Sequence, residues 1–249
     1  MGTIYLNKFW QSRIRFNWIL GLMLIIAVGV PRFIVVMQAY VSGSFYYIFL
    51  IFLALWILPF LFLSKPGRRS IGFKKPQKPL WLIYAFLTGI IISLLVYAIG
   101  VWLFDDTVSN WFVYISRSNG ASGEIDSSSR LIFFLISAIM SMTFSPIGEE
   151  IFYRGLIHET FSVNLGETKA SYIDSLAFAL THLAHFGIVY DNQSWRFLVI
   201  PSLLWVTFMF ITSRVFFFFK QKTGSILGAI LCHSGFNLAM MYCIFYFIL

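Results

Sequence analysis

The sequence has little charge. Only 11% of its 249 residues are Asp, Glu, Lys or Arg, where a soluble domain carries about a quarter. A soluble fold of this size could not cover its surface with so few polar groups. Cysteine is nearly absent: Cys232 and Cys243 share one apolar run. That excludes a disulfide framework and a cysteine-ligated metal, and leaves two small buried hydrophobes. No internal repeat or low-complexity stretch is visible. The short alternating segments of a membrane barrel are missing as well. The formal net charge is +8. However, no aromatic–basic interleaving accompanies it, so no nucleic-acid partner is expected. No cleavable leader is recognisable. Residues 1–18 are polar and basic, with Lys8, Arg13 and Arg15, and the apolar run after them is too long for a leader core. It is expected to be retained as the first span.

What is present is apolar. Hydrophobic residues make up 59% of the chain and aromatics 20%, with a mean hydropathy of +0.82. At ~20 residues per crossing, this predicts an all-α, polytopic transmembrane helix bundle of about seven helices (six to eight), forming one domain over residues 1–249. The apolar runs are 18–40, 44–64, 80–104, 131–147, 172–190, 195–219 and 225–249. Pro31-Arg32 interrupts the first, either splitting it or kinking it near the outer interface.

Charge sets the expected orientation. Lys65, Arg68, Arg69, Lys74, Lys75 and Lys78 come after the second run, and Lys220 and Lys222 after the sixth. Asp105, Asp106, Glu124 and Asp126 come after the third, with Arg117 and Arg130 among them. Basic loops stay in the cytoplasm. This predicts a cell-membrane protein with its N-terminus inside and its C-terminus outside. The 105–130 loop, rich in Ser, Gly and Asn, reads as mobile.

Ionisable groups inside spans are costly and therefore informative. Glu149, Glu150 and Arg154 come just after the fourth run. Glu150 and Arg154 stand at i, i+4 and can pair on one helix face. Glu149 lies ~100° away, so it is expected to be left unpaired in a poorly solvated place, as a general base would be. His182 and His185 share roughly one face of the fifth run, His185 being the weaker candidate because it lies nearer the outer half. His233 and Asn237, again at i, i+4, project together from the seventh. Each group alone has a bland reading: an interfacial helix end, a packing histidine, an interhelical hydrogen bond. Together they lie at depths that allow one shared polar pocket.

The order Glu149-Glu150-x-x-x-Arg154, then Phe178-x-x-x-His182, then His233-x-x-x-Asn237 resembles the CPBP family, the CAAX proteases and bacteriocin-processing enzymes also called the Abi family. The likeness covers residues 131–237, a catalytic core region within the single domain. It implies a glutamic-type intramembrane endopeptidase. In that reading Glu149 activates water with help from His182, while His233 and Asn237 bind the oxyanion. Glu150, Arg154 and Phe178 support the site. No cofactor is expected. Zinc held by Glu149, His182 and His233 is the conceivable alternative, but the His-Glu-x-x-His signature of zincins is absent. The implied partner is a membrane-embedded or lipid-anchored peptide or protein within the bilayer. That substrate would be a peptide precursor, a pheromone, a bacteriocin-related chain or a CAAX protein. A second reading is a non-catalytic scaffold or bacteriocin self-immunity protein that binds another membrane protein such as a sensor kinase. A proton-coupled carrier would show paired broken helices in two halves, and none is visible.

Overall fold

The computed structural model describes residues 4–44, 46–118 and 127–249. The chain opens with a short helix α1 (Lys8–Gln11), then α2 (Trp18–Ser42), α3 (Tyr46–Phe62), α4 (Lys65–Ser70), α5 (Leu80–Phe104) and α6 (Trp111–Ser118). Next come α7 (Ser127–Glu150), a π-helical segment (Ile151–Ile157), α8 (His158–Thr181) and a 3-10 turn (His182–Ala184). Strands β1 (Ile188–Asp191) and β2 (Ser194–Phe197), α9 (Val199–Thr223), α10 (Ile226–Cys243) and a final π-helical turn (Ile244–Ile248) complete it. The fold is a polytopic helical bundle. Among the described residues, five helical runs are long and apolar enough to cross a membrane: α2, α5, the run Ser128–Ala184, α9 and Ile226–Ile248. Helix α3 is apolar but has 17 residues, about 25 Å at 1.5 Å per residue.

The structure decides three points. First, of the two readings left open for Pro31-Arg32, a split is ruled out, since α2 runs through Pro31 from an Asn17 cap to Gly43. Second, the fifth apolar run does not stay helical to Tyr190, and the sixth does not begin helical at Trp195. Helix α8 ends at Thr181, and residues 188–197 form an antiparallel hairpin. Its turn residues Asn192 and Gln193 both have positive φ, at 49° and 58°, the backbone of a two-residue hairpin turn. Third, part of the 105–130 loop is ordered. Helix α6 buries Trp111, whose indole Nε1 donates to the Val96 carbonyl at 3.1 Å. Residues 119–126, including Glu124 and Asp126, lie outside the described residues. The fourth and fifth apolar runs also belong to one helical stretch, broken at Gly166 (φ 79°, ψ 162°). Glycine adopts that backbone without steric cost.

Close packing of small residues holds the centre. Helix α5 buries Ala85, Gly89, Ser93, Val96 and Gly100, with Gly89 against α10 and Gly100 against Trp111 of α6, and turns Ile83, Leu87, Ile91 and Leu95 outward, as a lipid-facing helix does. A Cβ on Gly89 would stand 1.9 Å from the Cys232 carbonyl oxygen, and one on Gly235 would stand 2.1 Å from that of Phe86. Two glycines, one on each helix, let the backbones touch where no hydrophobic effect drives association.

Helix α10 also mends α7. Pro146 lies inside α7 and has no N–H for the carbonyl four residues earlier. That carbonyl is Met142, and Ser234 Oγ donates to it at 2.7 Å. Asn237 Nδ2 donates to the adjacent Ser141 carbonyl at 2.8 Å. The bend that Pro146 imposes is thus docked onto α10 just before Glu149.

Candidate functional site

The motif residues converge. Glu149, Glu150, Arg154, Phe178, His233 and Asn237 are each buried, and the His182 side chain is 12% exposed. Glu149 and Glu150 end α7, and Arg154 lies on the π-helical segment. Such wide turns occur mostly at functional sites. This one carries the chain from Glu150 to His158 with every intervening residue buried.

Glu149 differs from the unpaired carboxylate expected from the sequence. Arg32 Nη2 donates to its Oε1 at 2.8 Å, between side chains that are 2% and 1% exposed. Ser145 Oγ, one helical turn earlier, donates to the same oxygen at 2.6 Å. The spacing of Glu149 and Glu150 correctly separates them, but a second cation from α2 reaches the first. The other oxygen, Oε2, accepts no hydrogen bond among the described residues. It faces His182 Nε2 at 3.8 Å, a gap that one water oxygen can bridge.

His182 is fixed from behind. Its Nδ1 lies 2.7 Å from the Phe178 carbonyl, which can only accept, so Nδ1 carries the proton and Nε2 is directed at Glu149. The Phe178 ring packs on the imidazole at 4.2 Å between centroids. Trp205 Nε1 donates to the His182 carbonyl at 3.0 Å. Phe178 therefore positions the histidine through both its backbone and its ring.

Glu150 builds the opposite wall. Its Oε2 stands 3.1 Å from Arg154 Nε, the expected i, i+4 pair. Its Oε1 accepts from His233 Nδ1 at 2.8 Å. The Arg154 guanidinium lies over the Phe178 ring at 4.1 Å, and Phe216 stacks on His233 at 4.7 Å with ring planes 16° apart. Asn237, one turn beyond His233, gives one amide hydrogen to Ser141 and keeps the second. Two arginines thus face two glutamates within one buried cluster, which meets the demand that charges in a membrane compensate each other.

One member of the cluster escapes the sequence reading and a second is ranked too low by it. The sequence leaves Pro31-Arg32 as a break in the first span or a kink near the outer interface, whereas Arg32 is buried beside the key carboxylate. The signal is present, since an arginine inside a long apolar run is as anomalous as a histidine. His185, the weaker candidate by depth, sits 3.3 Å from Arg32 Nη2 through its Nε2, and Tyr40 Oη donates to its carbonyl at 2.9 Å. The tight 3-10 turn after Thr181 brings it back toward the site.

Arg32, Glu149, His182, His233 and Asn237 line a cavity of about 450 Å³, well within the size of ligand sites. Beyond the polar cluster its walls are mainly apolar, with Phe52, Phe144, Met140, Met209, Met240 and Phe245 among them. Among the described residues no three His, Cys, Asp or Glu side chains are grouped as metal ligands.

Residues 131–239 match the family model described as type II CAAX prenyl endopeptidase Rce1-like. That segment carries every motif residue from Glu149 to Asn237. Over that segment the chain is similar to the CPBP/CAAX protease family. Arg32 lies outside the matched segment. No curated protein and no solved structure matches the chain significantly.

Proposed function

We propose that this chain is an intramembrane endopeptidase that hydrolyses peptide bonds of membrane-associated peptides or proteins, with Glu149 as the base. The observation that carries this is the opposition of Glu149 Oε2 and His182 Nε2, 3.8 Å apart, at the polar end of an otherwise apolar cavity. Arg32 and Ser145 occupy one carboxylate oxygen and so direct the other at the reacting water. Arg32 is a positioning residue in this scheme.

The chemistry rests on these contacts. A water held between Oε2 and Nε2 gives a proton to Glu149 as its oxygen adds to the scissile carbonyl carbon. The C–O bond forms, and the carbonyl π electrons move onto oxygen. His233 and the remaining hydrogen of Asn237 face that oxyanion, in water-poor surroundings where fixed donors act strongly. The Glu150 carboxylate stands behind His233 and fixes the orientation of its ring. The proton on Glu149 passes to the amide nitrogen as the C–N bond breaks, which restores the base.

The non-catalytic alternative draws on one observation: the Arg32–Glu149 pair has the geometry of a purely structural strut. Terminus-resolved mass spectrometry of membrane peptides from cells expressing the intact chain or Glu149→Gln separates the two. A new terminus that requires Glu149 supports the peptidase. Identical termini, together with a biological effect that survives the substitution, support the scaffold.

A further inference from the structure

One face of α7 lines the cavity, with Ser137, Met140, Ser141, Phe144, Ser145 and Glu149. Its serines recur at every fourth residue, and the next step of the same spacing is Glu149. Residues spaced i, i+4 form a ridge inclined gently to the helix axis, and successive members rise by ~6 Å. Three hydroxyls and one carboxylate therefore stand in file along one wall.

The file is held in place. Ser145 Oγ donates to Glu149 Oε1 at 2.6 Å, and Ser141 Oγ donates to the Ala138 carbonyl at 3.1 Å. Asn237 anchors the Ser141 carbonyl from α10. A serine hydroxyl has one hydrogen to give and two lone pairs to accept with, so Ser141 still accepts while its hydrogen is engaged. Ser137, half-buried, stands one step further along. The file ends on Glu149, whose Oε2 is buried and accepts no hydrogen bond among the described residues. The other walls suit apolar side chains, with Phe49 and Phe52 from α3, Met209 from α9 and Met240 from α10. Among the described lining residues the full charges are Arg32 and Glu149, which pair with each other. A charged side chain entering the cavity would find no counter-ion, and burying it unpaired is costly.

An extended peptide has the matching repeat. It advances ~3.3 Å per residue and alternates sides, so the groups on one edge recur every ~6.6 Å. Its backbone N–H groups need acceptors once they leave water. We infer that Ser137 and Ser141 accept from alternate N–H groups of an extended, uncharged peptide segment, which the ridge aligns so that the scissile bond lies beside Glu149. This deepens the peptidase reading and rests on it. Both serines bind the substrate backbone and take no part in the bond-breaking step.

Binding of a synthetic probe tests this. The probe is a short alternating Leu-Ala peptide, capped at both ends and carrying one fluorophore. Its counterpart has ester oxygens in place of the amide N–H groups. Affinity of each for the full chain in nanodiscs is read by fluorescence anisotropy. The double variant Ser137→Ala, Ser141→Ala is expected to bind the amide peptide about tenfold more weakly, as loss of two neutral hydrogen bonds would give. Its affinity for the ester peptide should equal that of the unsubstituted chain. An equal loss for both peptides, no loss for either, or no binding of the amide peptide to the unsubstituted chain overturns the inference. A probe with lysine for its central leucine should bind more weakly than the parent, and equal affinity would overturn the requirement for an uncharged segment. The readout needs no turnover. A chain that binds as expected but yields no Glu149-dependent terminus refutes the peptidase reading alone. A chain whose termini depend on Glu149 but whose affinity ignores both serines refutes only the backbone track.

Discussion

Arg32 and Glu149 are separated by 117 positions in the chain and by 2.8 Å in space. The pair joins a helix outside the family-matched segment to the carboxylate at the heart of it. Removing one partner of a buried ion pair strands the other, at a cost of ~3–5 kcal/mol. Arg32→Ala is therefore expected to lower thermal stability in detergent by about that amount and to abolish cleavage. The double variant Arg32→Met, Glu149→Gln replaces both charges and should recover most of the stability with none of the cleavage. A double variant as unstable as Arg32→Ala would show that the pair is not the source of the loss.

His182→Ala should abolish cleavage while the protein stays folded. Its Nδ1 serves only the Phe178 carbonyl, and no full charge is stranded. Retained cleavage by this variant, measured on any substrate found by terminus mapping, would remove His182 from the water-holding role.

Asn237 and Ser234 both donate to α7 carbonyls near Pro146, but only Asn237 lines the cavity. Ser234→Ala is expected to cost ~1 kcal/mol of stability with cleavage nearly intact. Asn237→Ala should lower the cleavage rate by ~10²-fold or more, as loss of an oxyanion donor does. Equal effects on cleavage would mean that both residues act only by docking the bent helix.

Gly89→Leu should prevent stable assembly, since even a Cβ at this position meets the Cys232 carbonyl at 1.9 Å. Yield of monodisperse protein in mild detergent is the measurement. Substituting the neighbouring Ile91, which faces outward, with Leu should leave that yield unchanged.

Prolonged treatment with a strong chelator should leave cleavage at its starting rate. Loss of activity restored by added zinc would contradict the base assignment for Glu149 and require a ligand set that forms only with substrate.

Much of the bundle and its polar centre is legible in the chain. Long apolar runs announce helices, and a bilayer makes every buried polar group conspicuous, which is how Glu149, Glu150, Arg154, His182, His233 and Asn237 stand out. Arg32 is equally conspicuous but has no motif partner nearby. Its pairing is set by how α2 packs on the π-helical segment, and spacing along one helix says nothing about that. The hairpin at 188–197 is hidden because Ile, Val, Tyr, Trp and Phe suit a span and a strand alike. Local turn chemistry at Asn192-Gln193 decides between them. The contact of Gly72 with Ile226 likewise emerges only from the packing of segments remote in sequence.

The widened turn at Ile151–Ile157 makes the site sensitive to chain length as well as to chemistry. Deleting any one residue there would draw the segment toward the ordinary 3.6-residue period and rotate α7 by ~100° relative to α8. Glu149 would swing off Arg32, and Glu150 would leave His233, with every motif letter still intact. A single-codon loss in this short stretch, even at a position such as Phe152 that no motif names, should be as damaging as replacing the carboxylate itself.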